Sequence, residues 1–151
     1  KKLPSYLSTG PEIPVKHEHL RFYSRLISKQ IGRFSWALKM ALVKHREGII
    51  DQQFMLARLS EIVTELFMSS CVYSRLTGVM VNGTIPQPAK EFEFNTGRLY
   101  LRMAAERNDR RFEELKVNLD AEVVNVANAW LKKDYTDPNW VITPGEKEIP
   151  Q

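Results

Sequence analysis

The stretch HEHLRFYSRLISKQIGRFSWALKMALVKHREG, residues 17–48, decides the fold. Leu20, Ile27, Ile31, Phe34, Leu38 and Ala41 return at helical steps, so they fall on one face of an α-helix. The pattern predicts a helix from about Glu18 to His45. Lys44, His45 and Arg46 close it, where positive charge meets the carbonyl end of the helix dipole. Gly48 follows as a stop signal.

The same period continues outward. Asp51 suits the N-cap of a second helix over about 52–76. Met55, Leu59, Ile62, Leu66, Phe67, Tyr73 and Leu76 form its apolar face, with Arg58, Glu61 and Glu65 on the wet side. Ser69, Ser70 and Cys71 are small enough for a neighbouring helix to come close. Gly78, Asn82, Gly83 and Pro86 mark a loop over 77–87. Pro88 suits the first turn of a third helix, about Ala89 to Arg107, with Phe92, Leu99 and Met103 inward. Asn108 and Asp109 are cap-type residues before a fourth helix. That helix carries Phe112, Leu115, Leu119, Val123, Val126 and Trp130 and ends near Lys133; one bent helix in place of the third and fourth fits equally.

These elements predict an all-α, up-down-up-down four-helix bundle over residues 17–133. Pro4, Gly10, Pro11 and Pro14 make residues 1–16 an extended leader. Pro138, Pro144, Gly145 and Pro150 make 134–151 an extended tail, with Trp140 and Val141 as an anchor. No internal repeat and no strand-like alternation interrupts this reading.

Composition agrees. The 151 residues are 43% hydrophobic and 26% charged, enough apolar material for a real core without disulfides or metals. A net charge of +4 is mildly basic; it permits acidic partners without requiring them. The single cysteine, Cys71, excludes an internal disulfide and points to a reducing, intracellular setting, cytoplasmic or mitochondrial. In that setting the Asn82-Gly83-Thr84 sequon reads as accidental. No apolar run has the length of a membrane span, and no signal-peptide pattern is present. The start at Lys1, in a loose Pro/Gly/Ser stretch, points to a domain cut from a longer polypeptide.

The sequence offers little for chemistry. It has no glycine-rich phosphate loop and no GxSxG or HExxH pattern. Cys71 lies in an apolar helix and reads as a buried, inert thiol. His17 and His19 are two apart and do not share a helical face, so they read as a surface pair. Glu91 with Glu93, and Glu113 with Glu114, read as solvated helix faces. We therefore expect no catalytic, cofactor-binding or metal-ligating residue in this segment. A short basic stripe without a binding motif also argues against nucleic acid.

One feature departs from a plain amphipathic helix. Opposite the core stripe of the first helix lie Phe22, Arg25, Lys29, Arg33, Trp36, Met40 and Val43, within about 80° of arc. Large apolar residues alternate there with cations. Two readings stand side by side. One is an exposed face with tolerated hydrophobes, or a face covered by the leader or tail. The other is a second interface, to another domain, a subunit or an anionic membrane surface.

A resemblance narrows the choice. Lys44-His45-Arg46-Glu47-Gly48-Ile49-Ile50-Asp51-Gln52-Gln53-Phe54-Met55-Leu56-Ala57-Arg58-Leu59 resembles the KH(K/R)xGIxxxQFxLxRLA segment of very-long-chain acyl-CoA dehydrogenases. Glu65-Leu66-Phe67 through Val72-Tyr73-Ser74-Arg75 resembles that family's (D/E)LY…VLSRAS, and Phe34 to Leu42 its FA…AKL. The likeness is good over about residues 15–80 and weaker to about 135. It implies the extra C-terminal helical domain of those enzymes, non-catalytic itself, appended to a core that oxidises fatty acyl-CoA with FAD. The catalytic glutamate and the flavin-binding segments lie upstream of that domain, so none is carried onto this chain. The expected partners are its own catalytic domain or a second subunit in a homodimer, with peripheral membrane contact as a further role. The alternative is a free-standing helical interaction module without enzyme activity.

Overall fold

A computed structural model describes residues 10–82 and 85–131. The all-α reading is borne out: the described residues hold helices and no strand. Helix α1 is Arg21–His45, entered through a 3-10 turn at Glu18–Leu20. A second 3-10 turn, Arg46–Asp51, leads to α2, Gln53–Val81. Helix α3 is Gln87–Glu114 and α4 is Asp120–Leu131. The described part of the leader, residues 10–15, has no regular structure. Residues 1–9 and the predicted tail, 134–151, lie outside the described residues.

The chain forms two compact units, one up to Asn118 and one from Leu119. In the first unit α1, α2 and α3 run up, down and up. Arg75 meets Glu93 while Glu61 meets Arg111, which makes α2 and α3 antiparallel. Tyr23 lies by Phe94 and Arg33 by Phe112, which makes α1 and α3 parallel. The core has two centres. Leu20, Tyr23 and Ile27 pack with Tyr73, Leu76 and Leu101 at one end; Ile62, Leu66 and Phe112 pack together at the other. Tyr73 donates its hydroxyl proton to Pro14 O at 2.9 Å, and Ser24 donates to Ile13 O at 3.0 Å, so both hold the leader against the helices. The second unit is described by α4, which carries Asp120 and Glu122 in its first turn and has no buried residue.

Several expectations need correction. The third helix does not stop at Asn108 and Asp109. It runs on to Glu114, and Asn108 is buried inside it at 1% exposure. The break falls at 115–119, so Phe112 precedes it, Leu115 and Leu119 lie within it, and Val123, Val126 and Trp130 follow it. The second helix runs five residues past Leu76, which shortens the predicted loop. Phe92, Leu99 and Met103 point outward, and so does Phe67. The inward face of α3 is Gly97, Leu101, Ala104, Asn108 and Phe112. Cys71 is exposed, not buried, because Ser69 and Tyr73 take the inward positions of that turn.

Gly48 does not take the special backbone conformation at the end of α1; Arg46 does, with φ 48° and ψ −126°. An L side chain is strained there, by about 1–3 kcal/mol. Glycine removes the clash but costs more chain entropy. Arg46→Gly should therefore stabilise the fold by about 1 kcal/mol. A urea midpoint equal to or below the wild-type value would refute the strain argument.

Candidate functional groove

The seven stripe residues of α1 do not share one surroundings. At the N-terminal end Phe22 is 57% exposed and sits edge-on to Tyr23, with ring centroids 5.2 Å apart. The Arg102 guanidinium lies 5.9 Å from its ring. Arg25 and Lys29 are exposed and make no ion pair among the described residues. The other four, Arg33, Trp36, Met40 and Val43, line one groove.

That groove has a volume of about 630 Å³. Helix α1 also gives it Lys44 and His45, α2 gives Met55 and Leu59, α3 gives Phe112, and the turn after α3 gives Leu115 and Lys116. Local sequence explains its shape. Ala37 and Ala41 are the inward residues of the last turns of α1, and they are too short to fill the space towards α2 and α3. Leu59 and Phe112 are buried and form solid walls. The Arg33 guanidinium stacks 4.3 Å from the Phe112 ring centroid and pairs with Asp109, whose carboxylate also accepts from Gln30 Nε2 at 3.0 Å. Arg33 is thus held as part of the wall.

Two of the cations that line the groove, Arg33 and Lys116, are paired with Asp109 and Glu113, which do not line it. No carboxylate lines it. Helix α1 carries Arg21, Arg25, Lys29, Arg33, Lys39 and Lys44 and no Asp or Glu. The arrangement offers apolar contact flanked by positive charge. No nucleophile paired with a base is among the residues that line the groove.

A second cluster escaped the sequence reading. Glu65, expected on the wet side of α2, has a side chain only 13% exposed. It accepts from Arg107 Nε at 2.9 Å and Nη2 at 2.8 Å, and from the Tyr100 hydroxyl at 2.6 Å. Arg111 Nη1 stands 3.7 Å away. The Arg107 hydrogen bonds hold the Glu65 carboxyl at about 2, against the opposing effect of burial. Burial, then the bond to Glu65, pushes the Tyr100 phenol up to about 12. Neither group exchanges a proton near neutrality, so the pair is a poor acid–base device and a good inter-helix clamp. The signal was present as Glu61/Glu65 and Arg107/Arg111, each four apart on helices that turn out antiparallel.

The remaining candidates stay separate. His17 Nδ1 accepts from the His19 backbone N–H at 3.4 Å, which ties the pair to the turn before α1. Glu93 pairs with Arg75 at 2.6 Å, and Glu113 with Lys116 at 2.8 Å. Among the described residues no three His, Cys, Asp or Glu side chains gather as a metal site would require. No described helix is long and apolar enough to cross a membrane.

The model of a family described as "ACAD9/ACADV, C-terminal domain" matches residues 18–135. The mouse (Mus musculus) protein named "Very long-chain specific acyl-CoA dehydrogenase, mitochondrial" is 29% identical over 69 residues. Those residues are 46% of this chain and 10% of that protein, so the chain matches about a tenth of its relative's length. No solved structure matches.

Proposed function

Because this chain belongs to the ACAD9/ACADV C-terminal domain family, we propose that it is the non-catalytic accessory domain of an FAD-dependent fatty acyl-CoA dehydrogenase and docks through the groove beside α1. The docking surface would meet its own catalytic domain or a second subunit. The flavin and the dehydrogenation chemistry would belong to that core. The name of the mouse relative supports a mitochondrial location.

One observation carries the docking role. Trp36, Met40 and Val43 line an unfilled concave surface at the end of the bundle, with Met40 43% and Val43 69% exposed. Apolar surface left open and rimmed by charge is the usual mark of an interaction site. Peripheral membrane contact draws on the same exposed apolar and basic residues, but a recessed groove suits it less well than a protruding face.

The test uses the full polypeptide that carries this segment, with Trp36→Ala and Met40→Asp together. Loss of two apolar anchors should weaken docking by about 2–4 kcal/mol. Sedimentation should show the assembly dissociating at least thirtyfold more readily, with flavin content and turnover per flavin unchanged. Phe22→Ala, at the far end of the stripe, should leave the assembly intact. An unaltered assembly in the double variant, confirmed as folded by its unfolding curve, would remove the docking role. A polypeptide that binds no flavin would favour the free-standing module.

A further inference from the structure

We infer that the groove receives an amphipathic α-helix of a protein partner, inserted by its apolar side chains and flanked by carboxylates. This deepens the docking reading and rests on the same groove.

The dimensions argue for a helix. Trp36 to Val43 spans seven residue steps, about 10 Å of helix axis or two turns. Two turns is the length over which a docking helix presents three anchors, at i, i+3 or i+4, and i+7. The floor is made low by Ala37 and Ala41, which leaves depth for inserted side chains. Met40 and Met55 stand on opposite walls, and methionine side chains reshape readily around an incoming apolar group. A bilayer cannot follow such a recess, because lipid contact favours a convex apolar face.

The charge argues for carboxylates. Arg33 and Lys116 are already paired, with Asp109 and Glu113. Lys44, which lines the groove, is exposed and makes no ion pair among the described residues. The acidic side chains Glu61, Glu65 and Glu93 of the bundle are bound to arginines between α2 and α3. A basic helix would be repelled by Lys44, and a neutral one would leave it unmatched. An acidic helix gains both on-rate and register.

Panning the purified chain against a displayed helix library would test this. The library fixes leucine at i, i+4 and i+7 and randomises the flanking positions among Glu, Gln and Lys. We expect Glu to be enriched at the flanks. Lys44→Glu should weaken the best selected helix by about tenfold, and Met40→Asp should abolish its capture, with both unfolding midpoints at the wild-type value. Binding should also weaken as salt is raised. Enrichment of Lys, indifference to charge, or no enrichment at all would overturn the inference. So would tight binding to vesicles of phosphatidylglycerol that Met40→Asp abolishes while no helix is selected, since that outcome assigns the groove to lipid. Each of these leaves the accessory-domain reading standing, because that reading is decided by the assembly and flavin content of the full polypeptide.

Discussion

Replacing Gly97 by valine should lower stability by at least about 2 kcal/mol, or roughly 6 °C in Tm. A Cβ built at Gly97 would stand 2.7 Å from Leu76 Cδ2, 2.8 Å from Cδ1 and 2.9 Å from Cγ. All three contacts are closer than carbon atoms tolerate. Leu76 cannot swing away, because it is 2% exposed and enclosed by Tyr23, Tyr73 and Leu101. Glycine in a helix interior costs about 1 kcal/mol in intrinsic propensity, so the position spends that amount on close approach of α2 and α3. The two effects can be separated. Gly97→Ala should destabilise the wild type, where the clash outweighs propensity. In a Leu76→Ala background the same change should stabilise, because the obstructing atoms are gone and propensity remains. The sign reversal is the diagnostic result. Equal effects in the two backgrounds would mean that Leu76 and Gly97 do not interact.

That pair also shows why α3 is hard to read from sequence. Three of its large apolar residues, Phe92, Leu99 and Met103, are exposed, while its buried face mixes Leu101 and Phe112 with Gly97, Ala104 and Asn108. Weighting residues by hydrophobicity therefore selects the wrong side. Where two helices approach closely, small residues mark the contact, and Gly97, Ala104 and Asn108, with Leu101 between the first two, recur at steps of four, three and four. Helix α1 and the turn before it read correctly in outline because Leu20, Ile27 and Ala41 are both apolar and inward. The five-residue break before α4 replaces a cap expected at Asn108, because Asn108 satisfies a packing position and not a helix start. The groove was half legible. Arg33, Trp36, Met40 and Val43 stand out on α1 because they are apolar or basic where water was expected. Met55 joins them from α2 and Leu115 from the turn after α3 through tertiary packing, which no local pattern announces. Phe22, Arg25 and Lys29 share the stripe but not the groove, because α1 is long enough to pass beyond it.

Glu65→Gln should cost about 2–3 kcal/mol at neutral pH, the largest loss expected from any single polar substitution here. The carboxylate accepts three hydrogen bonds, two of them from Arg107, and Arg111 stands nearby. An amide keeps the shape but removes the charge that these cations face. It also offers donors where Arg107 needs an acceptor. The pH dependence gives a sharper signature. Folding depresses the Glu65 carboxyl from an ordinary 4.5 to about 2, chiefly through Arg107. The unfolded chain therefore takes up this proton first as pH falls. The clamp's contribution is complete above about pH 5 and is lost as pH drops towards 2. Allowing for the solvent that reaches the network, Glu65 alone should account for about 1–2 kcal/mol of wild-type stability lost between about pH 5 and pH 3. Urea unfolding at these two pH values should show a smaller loss in Glu65→Gln by that amount. A variant whose acid sensitivity matches the wild type would place the titrating group elsewhere and reduce the clamp to packing.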